Sequence, residues 1–200
     1  LGRRAGKTFE GDRDLYAELG YDWDITLEAY RQRYRRGGLA ARVVEALPKA
    51  TWRGGIELIE EEDPTVVTDF EEQFVALEKR LHIWANLAKV DVLAGIGEYA
   101  VLLIGAPGEL STPLPDTLSP ENIVYLRPFG QKDAEIAEYE KDAANERYGL
   151  PTLYKLRRAS TVTGNTRQDT ARTCHWSRLL HVADETLDDP VFGTPRLERV

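Results

Sequence analysis

Apolar residues first recur at helical spacing in Leu27, Tyr30 and Tyr34, just after Thr26, which has an N-cap side chain, with Glu28 in the first turn. Gly37-Gly38 interrupts this helix. The pattern resumes over 39–47 through Ala40, Val43, Val44 and Leu47, until Pro48, whose missing N–H is expected to stop it. Trp52, Gly54 and Gly55 lead into a short apolar run at 56–59 that predicts a strand, followed by an acidic turn at 60–64. The strongest helical pattern begins at Thr68, where Thr68 and Glu71 have capping-box spacing and Asp69, Glu71 and Glu72 place negative charge at the positive end of the helix dipole. Phe70, Phe74, Leu77, Leu81, Trp84 and Ala88 then keep to one face, widened by Ile83, Leu87 and Val90. The spacing predicts one amphipathic helix over 68–93, roughly 38 Å long. His82 lies off its stripe and is expected to be solvated or half-buried.

After Gly95 the period changes. Residues 99–104 form a continuous apolar run between glycines, as expected of a strand buried on both faces, and Gly105-Ala106-Pro107-Gly108 turns it. A proline-rich irregular loop follows, to Pro120. Further strands are predicted at 123–127, 135–139, 152–157 and 173–182, with a polar, mobile run at 160–170. Helices first and strands afterwards describe an α+β fold whose sheet is mainly antiparallel. Residues 1–25 show no sustained period and read as an extended arm carrying Phe9, Tyr16, Tyr21 and Trp23. Residues 26–200 read as a single α+β domain, helical over 26–95 and β-rich over 96–200.

Composition narrows the class. The chain has 200 residues, 42% of them hydrophobic, enough for a core. A net charge of −8 argues against a nucleic-acid face built simply from excess lysine and arginine. The single cysteine excludes an internal disulfide framework, and no apolar run approaches a membrane span. The chain lacks methionine and ends without a helix stop, so it is expected to be part of a longer protein.

Candidate chemistry concentrates in residues 172–198, which hold Cys174, His175, Ser177 and His181, followed by Asp184, Glu185, Asp188 and Asp189. A small metal-dependent or cysteine hydrolase using Cys174, His175 or His181 is the rival this composition suggests. In a continuous strand, however, Cys174 and His175 face opposite ways, and His175 and His181 stand about 20 Å apart. Only a sharp bend near Ser177 would bring them together. The strand reading puts Cys174, Trp176, Leu180 and Val182 on one core-facing side, so catalytic residues, metal ligands and cofactors are all expected to be absent. Two other motifs fail on context. Gly2-Arg3-Arg4-Ala5-Gly6-Lys7-Thr8 has three residues between its glycines where a phosphate-binding loop has four. Gly95-Ile96-Gly97-Glu98-Tyr99-Ala100 follows a helix and precedes a strand, the reverse of a dinucleotide site.

The same stretch carries a resemblance. His175-Trp176-Ser177-Arg178-Leu179-Leu180-His181-Val182, an acidic loop, and Phe192-Gly193-Thr194-Pro195-Arg196-Leu197 resemble the portion of bacteriophage portal proteins in which a strand ending in Leu-His precedes a loop and a G-x-P approach to a helix. The run from Tyr30 to Leu47-Pro48, Thr51-Trp52-Arg53-Gly54-Gly55, and the glycine-bearing passage from Ala94 to Gly105 are similar to other parts of that family. The resemblance implies a non-catalytic virion subunit of a ring, usually dodecameric, at one capsid vertex, present in the host cytoplasm during assembly. Its partners would be further copies of itself, terminase, head–tail adaptor proteins and the capsid protein. Double-stranded DNA would pass through the channel without sequence-specific binding, and no membrane would be involved. The channel-lining helices and the clip follow the matched segment in the family, so this chain would be the outer, wing-like portion. Phe70, Phe74, Trp84, Tyr16 and Trp23 are the candidate subunit-interface residues. An adaptor domain that binds a protein partner through its acidic loops is the remaining rival.

Overall fold

The computed structural model describes residues 18, 25–54, 56–60, 67–159 and 169–198. The arm with Phe9, Tyr16, Tyr21 and Trp23, the Gly2–Thr8 motif, most of the 60–64 turn and most of the 160–170 run lie outside them.

Helix α1, Leu27–Arg36, starts as its sequence dictates, with the Thr26 hydroxyl accepting the Ala29 N–H at 3.3 Å. Gly37 and Gly38 both take positive φ and turn the chain into α2, Leu39–Thr51. Pro48 does not end α2: the helix runs through it to Thr51, with Pro48 buried. The proline leaves the Val44 carbonyl without its intrahelical donor, and the Arg196 guanidinium fills the gap with Nη1 donating to Val44 O at 2.8 Å. The short apolar run at 56–59 is exposed and irregular rather than a strand.

The long helix predicted over 68–93 is two helices, α3 (Asp69–Leu81) and α4 (Ile83–Ile96). The complete capping box at Thr68 and Glu71 opens α3. His82, at φ 50° and ψ 53°, breaks the run in left-handed conformation and is exposed. The apolar stripe continues across the break, which is why periodicity alone does not reveal it. Arg80 braces the end of α3 by donating to the carbonyls of Pro120 (2.9 Å) and Ile123 (2.7 Å).

Among the described residues there are two antiparallel sheets. One has strand order β2-β1-β6, formed by Tyr125–Gly130, Ala100–Gly105 and Leu179–Val182. The other has order β3-β4-β5, formed by Ala134–Tyr139, Pro151–Ala159 and Asp169–His175. The fold is therefore α+β. Strand β1 is buried on both sides, with alternate residues serving different layers. Val101 and Leu103 join Tyr99, Phe129, Tyr154, Leu156 and Cys174 in the core between the sheets. Ala100 and Leu102 pack with Val90 and Ala94 of α4.

The predicted strand over 173–182 is split. A single 3-10 turn, Trp176–Arg178, ends β5 and begins β6, moving the chain from one sheet to the other. The one-sided core pattern expected of Cys174, Trp176, Leu180 and Val182 is thus overturned: Cys174 is fully buried between the sheets, while Leu180 is 45% exposed on β6. The turn is anchored by Arg178, 1% exposed, which donates to the carbonyls of Thr112, Ala106, Pro107 and Pro113 and so pins the proline-rich loop. These bonds satisfy the buried guanidinium with backbone oxygens.

Candidate functional site

Among the described residues, one face of α3 is left largely uncovered. This helix buries only Leu81, leaving Phe70 52% exposed and Val75 exposed as well. With Ile56, Leu58 and Val67 from the preceding segment, Phe74, Val75 and Trp84 line an open cleft of about 920 Å³, rimmed by Glu57, Glu71, Glu72 and Glu78 together with Lys79. Glu71 ties the preceding segment to the helix, accepting the Glu60 N–H at 2.6 Å.

The floor of the cleft is built from aromatic contacts. Trp84, at the start of α4, lies 5.8 Å from Phe74 across the His82 break and 6.2 Å from Trp52, nearly parallel to it. Trp52 Nε1 donates to Asp91 Oδ2 at 3.0 Å. Asp91 Oδ1 in turn accepts from Arg196 Nη2 at 2.7 Å, and Arg196 Nε donates to Asp184 Oδ2 at 2.6 Å. One arginine, 9% exposed, thereby joins α2, α4, the acidic loop after β6 and the aromatic floor. Gly95 makes room for it: a Cβ there would lie 2.8 Å from Arg196 Cδ and Nη1. The Arg196 N–H donates to Gly95 O, and the Gly193 N–H to Glu98 O. The two glycine-bearing passages therefore lie side by side.

Phe74 and Trp84 thus meet in the cleft, Phe70 lies exposed one turn before Phe74 on α3, and Tyr16 and Trp23 lie outside the described residues. Sequence reasoning missed Trp52, Asp91 and Arg196. The one available signal was Pro48 within a helical pattern, which orphans a carbonyl that some donor has to meet.

Cys174, His175 and His181 are held separately. Burial pushes the Cys174 thiol up to about 11, and its Sγ sits 3.7 Å from the His175 carbonyl. His175 Nδ1 lies 2.9 Å from Ser177 Oγ and accepts the Ser177 N–H, capping the 3-10 turn. Burial first, then Arg147 and Arg178, lowers its pKa. His181 donates from Nε2 to Val191 O at 2.8 Å, which leaves Nδ1 to accept the Tyr154 hydroxyl at 3.0 Å. Its ring stacks on Tyr99 at 4.9 Å. The bend at Ser177 exists, yet each group is occupied by its own structural partners. Among the described residues, no group of three or more histidine, cysteine or carboxylate side chains could hold a metal, and no helix is long and apolar enough to cross a membrane.

Residues 28–200 match the phage portal protein family. The chain belongs to that family. The portal match takes in α1 to α4, both sheets, the Ser177 bend and the Arg196 junction. Among curated proteins, none matches the chain. Portal proteins are structural components of the phage, and membership supports a structural role for this chain. The Leu180-His181 pair that carries part of the resemblance is where the half-buried His181 ties β4 and the Val191 loop together.

Proposed function

We propose that this chain is the outer, wing-like portion of a subunit in a portal ring at the capsid vertex, through which DNA is packaged and ejected. It acts by assembly rather than catalysis. Terminase, head–tail adaptor proteins and the capsid protein are its partners, and DNA passes without sequence-specific contact. The family match over residues 28–200 carries this reading. The open face of α3 supports it, because a closed ring needs each copy to offer one surface to a different surface of the next. Phe70 and Val75 are exposed in the isolated chain, so replacing them with serine leaves folding intact and weakens assembly. Native mass spectrometry of the full-length protein is expected to show a closed ring that the Phe70→Ser/Val75→Ser variant forms poorly. Monomers alone under assembly conditions would overturn the proposal.

A further inference from the structure

A second groove differs from the α3 cleft in the sign of its rim. It has a volume of about 840 Å³ and lies between α1, α2 and α4, with Pro48, Trp52 and Ile96 among its apolar lining and Lys49, Arg53 and Lys89 exposed along its edge. Its one carboxylate, Glu45, is already engaged, accepting from the Tyr34 hydroxyl at 2.8 Å and from Lys49 Nζ at 2.5 Å. Among the described residues, neither Arg53 nor Lys89 has an ion-pair partner. The surrounding sequence is basic well beyond the groove: residues 30–53 contain seven lysines and arginines against Glu45 alone.

The outer face of α3 has the opposite character. Residues 69–78 carry Asp69, Glu71, Glu72 and Glu78 and no lysine or arginine. Asp69 and Glu72 are exposed on either side of the exposed Phe70, and Val75 is exposed further along the helix. One surface is therefore a ridge of apolar side chains between carboxylates, and the other is an apolar hollow between cations. Within one copy they do not meet, because no α3 residue lines the groove. Pairing α3 with α3 about a two-fold axis would set carboxylates against carboxylates, which disfavours that arrangement.

We propose that α3 of one copy docks in the groove between α1, α2 and α4 of a second copy. Phe70 and Val75 cover the Pro48–Trp52–Ile96 floor, while Asp69 and Glu72 face Arg53 and Lys89. Apolar burial supplies the attraction, and the charges select the partner surface. The contact joins two different surfaces, so it runs head-to-tail from copy to copy. It rests on the ring reading above and adds which surface receives α3.

The test uses the full-length protein carrying the photo-reactive amino acid p-benzoylphenylalanine in place of Phe70, mixed with isotopically heavy copies before assembly and illumination. The expected cross-links fall within residues 48–53 or 88–96 and join light copies to heavy ones. If a closed ring forms, cross-links to α3 of another copy, to the groove of the same copy or elsewhere, or none at all, would each overturn the pairing and leave the ring reading standing. Monomers alone would overturn both. Light-to-heavy cross-links to the groove in an assembly that does not close would uphold the pairing and refute the ring.

Charge reversal gives an independent readout. Asp69→Lys with Glu72→Lys, and separately Arg53→Glu with Lys89→Glu, change exposed side chains only, and circular dichroism checks that the fold persists. Either pair should raise the concentration needed for half-assembly roughly tenfold, as repulsion replaces exposed ion pairs. All four changes in one chain should return that concentration towards the parent value. No effect of either pair, or no recovery when they are combined, would overturn the pairing.

Discussion

Arg196 ties together parts of the chain that are far apart in sequence. Its guanidinium fork meets the Val44 carbonyl, Asp91 and Asp184 at once, a geometry that lysine's single ammonium cannot reproduce. Arg196→Ala strands two half-buried carboxylates and a helix carbonyl, and is expected to cost about 2–4 kcal/mol in urea unfolding. Arg196→Lys should recover only part of that. Pro48 supplies an internal control. Pro48→Ala returns an N–H to the Val44 carbonyl, so the cost of Arg196→Ala should shrink in the Pro48→Ala background. Strict additivity of the two changes would show that the proline and the arginine are not coupled.

His181 gives a prediction of another kind. Burial lowers its pKa from 6.5, opposed by the bond to Val191, and His175 is lowered in the same direction. In the unfolded chain these rings take up protons at pH values where the folded ones remain neutral. Their contribution to stability is therefore complete above 6.5 and is lost as pH falls below it. Urea midpoints should fall between about pH 7.5 and about pH 5.5, before most carboxylates titrate. His181→Gln should flatten that slope while lowering overall stability; a slope equal to that of the parent protein would refute His181 as its source.

At the level of elements, the junction between the acidic loop and the glycine passage admits almost no change. A methyl group at Gly193 would overlap the Asp184 carbonyl oxygen, which already accepts the Thr194 N–H. Gly193→Ala therefore forces backbone movement and is expected to cost more than about 2 kcal/mol, with loss of the Gly193-to-Glu98 bond. Amide exchange at Gly193 and Thr194 would report it, and unchanged protection at both positions would contradict the expected clash.

The legible and illegible elements divide along the same physical line. Thr26 and the Thr68–Glu71 box were readable because capping is local chemistry, as was β1, because a strand buried on both sides must be continuously apolar. The break at His82 was not readable, since the aromatic stripe continues from Phe74 to Trp84 across it. Nor was the extension of α2 through Pro48, because its compensating donor lies far along the chain. The Ser177 bend was conceivable from sequence but is fixed by a distant partner, the Ser177 hydroxyl accepting the Leu114 N–H at 2.7 Å. Periodicity reports which side of a segment is apolar and is silent about changes of direction that preserve that side.

For the whole molecule, the three apolar clusters form a layered body: helices α1 and α2 around Tyr30 and Val44, then α4 against β1, then the two sheets enclosing Tyr154 and Cys174. Of the aromatic residues singled out in the sequence, Phe74 and Trp84 line one cleft, but the stacking of Trp84 on Trp52 is a contact that no local pattern encodes. Burial explains the fate of the enzyme-like residues. The attraction of residues 172–198 as a catalytic stretch was chemical composition alone, and the fold spends Cys174, His175 and His181 on packing and hydrogen bonds.

The left-handed joint at His82 has a mechanical side. Among the described residues, helix α3, roughly 20 Å long, meets the rest of the fold mostly toward its C-terminal end, through the buried Leu81, the two bonds of Arg80 and the Phe74–Trp84 ring contact. A force applied near Phe70 would therefore pass to the layered core through these contacts and the left-handed His82.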